Sequence, residues 1–340
     1  MKGDANVKKT ALFLCVLLII LLFSVTAMAA DGTDILLVQG DYFYDSAFEV
    51  LRITNAERAK AGVGALTMDK DLLDAAMLRA METTILFDHK RPNGESCFSV
   101  CGKMMGENIA AGQLDAAAVM VAWVNSPPHL KNLLNDKYTI AGMGCVNVGG
   151  KMYWVQLFGD QAAVAVSQPT NKNAEQEIEV QDSEVAVDLK LNDRGAAPVS
   201  QPLGVGAKLQ LATYVINGGW DYLRAPILAK SFFWESSNSA VATVNQEGLL
   251  ETKSGGKVLI TATTERGNVC SLIVSVAGGR IALGDVNLDG SVNAPDILAL
   301  RNYILSITPL LDEQLPEADA NTDDVVTVAD IMAIRKMILS

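Results

Sequence analysis

Between Gly284 and Ser340 the chain repeats one acidic pattern, and no other stretch restricts local geometry so narrowly. Asp285, Asn287, Asp289, Ser291, Asn293 and Asp296 stand at positions 1, 3, 5, 7, 9 and 12 of a calcium-type loop, with Gly290 at the sharp turn of position 6. Asp319, Asn321, Asp323, Val325, Thr327 and Asp330 repeat the register. Val325 is harmless there, because position 7 ligates through its backbone carbonyl. Hard oxygen donors at alternating positions suit calcium, whose charge offsets the repulsion among crowded carboxylates. The spacing therefore predicts two calcium ions and a segment largely unfolded without them. The repeat runs on past the ligands: Ile297, Leu300 and Ile304 recur as Ile331, Ile334 and Ile338, an apolar stripe on each exiting helix.

A complete helix-loop-helix hand needs an entering helix. Ile281, Ala282, Leu283 and Gly284 instead follow a Gly-Gly pair and read as a strand end. A duplicated half-hand at the C-terminus resembles a type I dockerin, the module that plugs a secreted protein into a cohesin of a scaffoldin. The resemblance implies a small all-α module at 284–340. It also implies cohesin contacts at loop positions 10 and 11 and at a pair in the helix. Those positions are Ala294, Pro295, Arg301 and Asn302 in the first half, and Val328, Ala329, Arg335 and Lys336 in the second. Asp324 stands where the first loop has Gly290, so the second loop places a side chain in a left-handed turn, at some strain.

The N-terminus carries Lys2, Lys8 and Lys9, an apolar run from Ala11 to Val25, and Ala27-Met28-Ala29. This pattern predicts a secretory signal over 1–29 cut after Ala29, with an uncleaved anchor as the alternative. Cleavage leaves no membrane span and changes the formal charge from −12 to −14. Residues 284–340 hold ten acids against three bases, so half of that charge belongs to the calcium segment and says little about substrates. No basic patch favours nucleic acid. Secretion permits disulfides among Cys97, Cys101, Cys145 and Cys270, and Cys97 with Cys101 or with Cys145 is the expected pair.

Both histidines of the predicted mature chain fall between 42 and 160. Helices are predicted over Asp45–Ala61, with Phe48, Leu51, Ile53 and Ala59 on the apolar side, over Asp69–Thr84, and over Leu114–Asn125. Ile140–Phe158 reads as two strands joined at Gly149-Gly150. Helices flanking a small antiparallel sheet make an α+β sandwich. His89 sits in FDHKRPNG, Glu107 in GENIA and His129 in WVNSPPHLKN. With INAERAKAG, LTMDKDLLDAAMLRA, GMGC and YWVQLFG, these segments resemble the CAP superfamily, the SCP or pathogenesis-related-like fold, in its bacterial form. The resemblance implies a cleft with a His/Glu cluster able to hold a divalent metal such as zinc, and His89 and Glu107 match its first two members. Ser126 falls where the animal and plant branch has a second acid, and no histidine precedes Trp154. His129 belongs to the bacterial Ser-Pro-His pattern. Imidazole plus carboxylate suits a metal with an open water position, or a metal-free acid-base pair. The bland alternative has His89 and Glu107 pin a loop, Asn55 and Arg58 tie the first helix down, and Trp123 and Trp154 fill the core.

Gln161 to Gln181 turns polar and reads as a mobile linker, taken as 161–180. Short strands then recur over 181–278. Phe232 to Asn268 resembles the bacterial immunoglobulin-like group 2 domain, an all-β sandwich with Trp234 as its buried ring and Asn238 and Gly248 at turns. The chain thus reads as multi-domain. It is expected to be a secreted, scaffold-docked protein whose cohesin-bound dockerin presents a CAP domain to an extracellular lipid, peptide or wall component. The alternative is a metal-assisted hydrolase of peptide or glycoside contributing to polysaccharide breakdown.

Overall fold

The computed structural model describes residues 32–181, 186–190, 202–216, 224–278 and 282–340, so the expected signal over 1–29 lies outside the described residues. Strand β1 (Thr33–Tyr42) leads into helix α1 (Tyr44–Lys60), the short β2 (Thr67–Met68) and helix α2 (Lys70–Ile85). After these come β3 (Gly106–Ala111), α3 (Ala116–Val124), α4 (Pro127–Leu133), β4 (Ile140–Val148), β5 (Lys151–Gly159) and β6 (Lys172–Gln181). The sheet runs in the order β3-β5-β4-β1-β6, antiparallel throughout, with β2 added in parallel to β4.

Asp69 starts α2 because its side chain accepts the amide of Leu72, while its second oxygen takes the Lys103 ammonium and the Val164 amide. This helix lies so close to the sheet that only glycine fits beneath it. A Cβ at Gly142 would come 1.9 Å from the Leu72 carbonyl oxygen, and one at Gly144 2.1 Å from that of Ala76. The GMGC segment is therefore a seat for a helix backbone. Trp123 and Trp154 are buried, and their indole N–H groups donate to the carbonyls of Ile109 and Gln113. Asn55 bonds both backbone groups of Leu66, and Arg58 donates to the carbonyls of Gly64, Leu133, Asn135 and Tyr138.

Several expectations change. The buried side of α1 is Tyr44, Ala47, Val50, Thr54 and Arg58, while Phe48, Leu51 and Ile53 are only half-buried and Ala59 is exposed. A polar-looking face is inside because Thr54 and Arg58 find fixed partners there. The stretch read as linker is ordered at its end: β6 pairs with β1 from Thr33↔Gln181 to Tyr42↔Lys172, burying Ile178 and Val180. Its outward residues are polar because this is an edge strand. Helix α3 ends at Val124 with Asn125 as its cap, within a residue of the expected end, and Pro127 then opens the further helix α4, where its missing N–H costs nothing. Finally, none of Cys97, Cys101, Cys145 and Cys270 is joined in a disulfide. Cys145 sits on β4 beside Ser46 of α1, whereas Cys97 is near Glu107 and His89 beneath α2.

The second region holds β7 (Ala186–Lys190), β8 (Lys208–Gln210), β9 (Ala212–Ile216), β10 (Arg224–Ile227), β11 (Phe233–Ser236), β12 (Ala242–Val244), β13 (Leu249–Thr252), β14 (Gly256–Thr263) and β15 (Val269–Val276). They form three three-stranded sheets, β10-β9-β7, β11-β14-β15 and β12-β13-β8. Trp234 is buried, and Gly248 takes a left-handed turn beside it. This region packs directly on β1. The buried Asp34 carboxylate accepts from the Thr264 hydroxyl, the Arg266 amide and the Asn268 amide side chain, at 2.5, 3.0 and 2.6 Å.

The last region comprises α5 (Ala294–Ile304), α6 (Leu315–Ala318) and α7 (Val328–Leu339). The segment from Ala282 to Gly284 is a turn, not the expected strand end, and Ile281 lies outside the described residues. Leu300 and Ile334 are fully buried with Val286, Ala318 and Ala320, whereas Ile338 of the expected stripe is 40% exposed.

Candidate functional site

The two acidic loops share their hydrogen bonds at positions 1, 3, 5 and 12. Asp285 accepts the amides of Asp289 and Gly290 at 3.0 Å each, and Asp319 those of Asp323 and Asp324 at 3.1 and 2.9 Å. Asp296 accepts from the Asn287 and Asn293 amides, and Asp330 from those of Asn321 and Thr327. Each position-12 carboxylate thereby closes its loop and caps the following helix at once. The chain turns left-handed at positions 4 and 6 of both loops: Leu288 and Gly290, then Thr322 and Asp324 at φ +61° and +66°. The strain expected at Asp324 is present, and Thr322 shares it.

These loops fit calcium on their own chemistry. The carboxylates of Asp285, Asp289 and Asp296 crowd into one turn, and the partners described for them are backbone amides and the Asn287 side chain, none cationic. Burial, then the neighbouring Asp296 and Asp289 charges, pushes the Asp285 carboxyl up to about 6. Burial raises Asp296 as well. The Asn293 side-chain oxygen at position 9 is buried without a partner. A divalent cation would answer all of these at once.

The residues expected to contact a cohesin lie on the outer faces of α5 and α7. Ala294, Pro295 and Arg301 are exposed and Asn302 half-buried, and Val328, Ala329, Arg335 and Lys336 are exposed. Ala294, Pro295 and Asn302 line one shallow concavity with Leu298 and Leu310, and Arg335 and Lys336 line another with Met332 and Leu339. Leu298, Val328 and Met332 are each more than half exposed.

A second cluster lies in the first region. Glu107 is carried by β3 on the side facing α2, and its buried carboxylate receives the Arg79 guanidinium at 2.8 Å and His89 Nδ1 at 2.7 Å. Arg79 also pairs with Glu82 at 2.8 Å, and Glu82 with Arg91 at 2.6 Å. Burial works to raise Glu107, but His89 and Arg79 outweigh it and hold the carboxyl below its ordinary range. The loop after α2 folds back on itself, with the Cys97 amide donating to the His89 carbonyl at 3.1 Å. Cys97 thereby meets the His89 imidazole, and its hydrogen bond, ahead of that of Glu107, raises the histidine pKa.

His89, Cys97 and Glu107 offer donor atoms all within 4.8 Å of one another, and His129 is not part of that group. His129 has a buried, unpartnered Nδ1, and burial followed by the His89 charge lowers its pKa. It is joined to β3 through the backbone, because its carbonyl accepts from Asn108. The Asn108 side chain also accepts from Asn132 of α4 and donates to Gln156, which in turn reaches Thr54 of α1. Cys97, Arg79 and Asn108 were absent from the expected site. Asn108 had a visible signal, since it follows Glu107 on a strand and must face the other way.

Family models match three segments: the cysteine-rich secretory protein family, CAP, at 51–158; the bacterial Ig-like domain, group 2, at 221–272; and the dockerin type I domain at 283–339. The chain is 39% identical over 123 residues to "Uncharacterized protein YkwD" of Bacillus subtilis, covering 33% of this chain and 47% of that protein. It is 30% identical over 118 residues to "Uncharacterized membrane protein YlbC" of the same organism, covering 32% of this chain and 33% of that one. The chain thus spans less than half the length of either relative. A crystal structure of an extracellular protein containing an SCP domain from Bacillus anthracis aligns with TM-score 0.31 and 26% identity, over 34% of this chain and 41% of that one. A type I dockerin implies calcium and a cohesin partner. The chain carries, in order, a CAP domain, a group 2 bacterial immunoglobulin-like domain and a type I dockerin domain.

Proposed function

We propose that this is a secreted, scaffold-docked protein. Its dockerin takes two calcium ions and binds a cohesin, and its CAP domain is thereby presented to an extracellular lipid, peptide or wall component. The observation that carries this reading is the hydrogen-bond pattern that the two acidic loops share at positions 1, 3, 5 and 12, each loop placing an exposed helix face beside its ion site. The immunoglobulin-like domain serves as a rigid mount, held to the CAP sheet through Asp34 and to the dockerin through Lys257, whose ammonium meets Glu317 at 3.0 Å. Calorimetry tests the docking: calcium should bind with a stoichiometry of two, and a type I cohesin should then bind only the calcium-loaded chain. Binding of cohesin at the same strength in excess chelator would sink the reading.

A second reading has one specific support, the 2.7 Å contact between His89 and the buried Glu107. In it the CAP cleft binds zinc and performs metal-assisted hydrolysis of peptide or glycoside, with His89 and Glu107 as ligands and His129 at the rim. Arg79 meets Glu107 Oε1 at 2.8 Å and Oε2 at only 3.5 Å, so Oε2, the oxygen beside His89, is the less tightly held of the two and the one a metal would take. Zinc-dependent turnover of a peptide or polysaccharide library that fails in His89→Gln supports it, and turnover in the unmutated chain that ignores zinc, or zinc-dependent turnover that survives His89→Gln, removes it.

A further inference from the structure

We propose that Cys97 supplies a thiolate ligand to a zinc-class metal site completed by His89 and Glu107. This inference rests on the reading of the CAP cleft as a metal site and says which chemistry that site has. Three observations carry it. The donor atoms of the three residues already lie within 4.8 Å of one another. Ligands held at about 2.0–2.3 Å around a tetrahedral ion sit roughly 3.5 Å apart, so only small side-chain movements are needed. Cys97 is 3% exposed and Glu107 5%, while the His89 side chain is 58% exposed. The sulfur and carboxylate thus form a floor and the imidazole a solvent-side wall, the layout of a three-ligand site with a fourth position open.

The third observation is the absence of competition for the sulfur. Cys97 is not in a disulfide, and the loop pairing that sets its amide on the His89 carbonyl holds it beside the imidazole. Arg79 and Arg91 are already matched by Glu82 and Glu107, so the arginines do not need the thiol as a partner. Binding releases to solvent both the Cys97 thiol proton and the proton that His89 holds against Glu107, as the metal–sulfur and metal–nitrogen bonds form. Sulfur in the set favours zinc, cobalt or a similarly soft cation over calcium or magnesium, which the oxygen-only loops of the dockerin take.

Cobalt(II) is the probe, titrated into the full chain with calcium in excess so that the dockerin loops are filled. The expected result is His89-dependent uptake of one cobalt, with the near-ultraviolet charge-transfer band that only a thiolate ligand produces. Zinc should abolish that band by displacement. The band should vanish in Cys97→Ser and persist in Cys101→Ser, with circular dichroism confirming that both variants fold. Because the band is read first in the unmutated chain, its absence there overturns the Cys97 assignment whether or not the variants fold. Uptake that depends on His89 but shows no thiolate band overturns the Cys97 assignment and leaves the cleft-metal reading standing. A band that survives Cys97→Ser and disappears in Cys101→Ser overturns it too. No His89-dependent uptake at all overturns both.

Discussion

The CAP domain and the dockerin reach order by opposite means. The CAP core buries Trp123, Trp154, Tyr153 and Phe158 together with an all but enclosed helix α2, and even its buried Arg58 and Arg79 are fully paired. The dockerin core is Val286, Leu300, Ala318, Ala320 and Ile334, and much of its remaining apolar surface faces outward. So small a core does not outweigh the entropy of ordering its segment, and such modules draw on metal binding for the difference. The contrast teaches where a cation would matter most: carboxylates crowd together in the dockerin loops with no cationic partner described for them, while the buried charges of the CAP core are met by side chains.

The largest test of this contrast is chelation. Removing calcium should abolish amide-exchange protection over 284–340 while Trp123 and Trp154 keep their near-ultraviolet circular dichroism. Protection that survives in the metal-free dockerin would break the comparison. Next comes the CAP core: Trp154→Ala should cost about 3–5 kcal/mol of CAP stability in denaturant melts and leave calcium stoichiometry unchanged.

A smaller effect concerns acid. Burial tends to raise the Asp69 carboxyl, but the Val164 amide, Lys103 and the Leu72 amide more than reverse it, so its pKa is lowered in the fold. A carboxyl depressed on folding contributes stability above its unfolded pKa, and that contribution is lost as pH falls through the folded value. Asp69→Asn should therefore cost roughly 1–3 kcal/mol near neutral pH, and the deficit should shrink toward zero in strong acid, as followed by unfolding midpoints across pH. A deficit independent of pH would show that Asp69 acts only as a helix cap.

The smallest effect is expected at Asp324, which holds φ +66° without being glycine. Asp324→Gly should favour the second loop by about 1 kcal/mol, read as a several-fold gain in calcium affinity at that site alone. No change would mean that the left-handed turn carries little strain there.

Much of this architecture could be read before any coordinates. The alternating oxygens of both loops, the apolar pattern of α2 with Asp69 before it, and the Gly149-Gly150 turn are all local signals, and each element appears within a residue or two of its expected bounds. The errors share one cause. Lys172–Gln181 looks like a linker because an edge strand buries only Ile178 and Val180, and its partner is more than a hundred residues earlier. The face of α1 was misjudged because Thr54 and Arg58 are buried by the partners they find, not by hydrophobicity. Cys97 was assigned to a disulfide because spacing cannot show which side of the sheet a thiol faces.

Sequence alone determined the calcium loops and their paired helices, since every donor falls within one short loop whose own amides fold onto its carboxylates. Only the tertiary structure decided that Cys97 lies against His89 and Glu107, that Asp34 takes three donors from the immunoglobulin-like domain, and that β6 closes the CAP sheet. Those contacts join positions far apart in the chain. They exist because packing the whole sheet brings them together, and no local pattern records that.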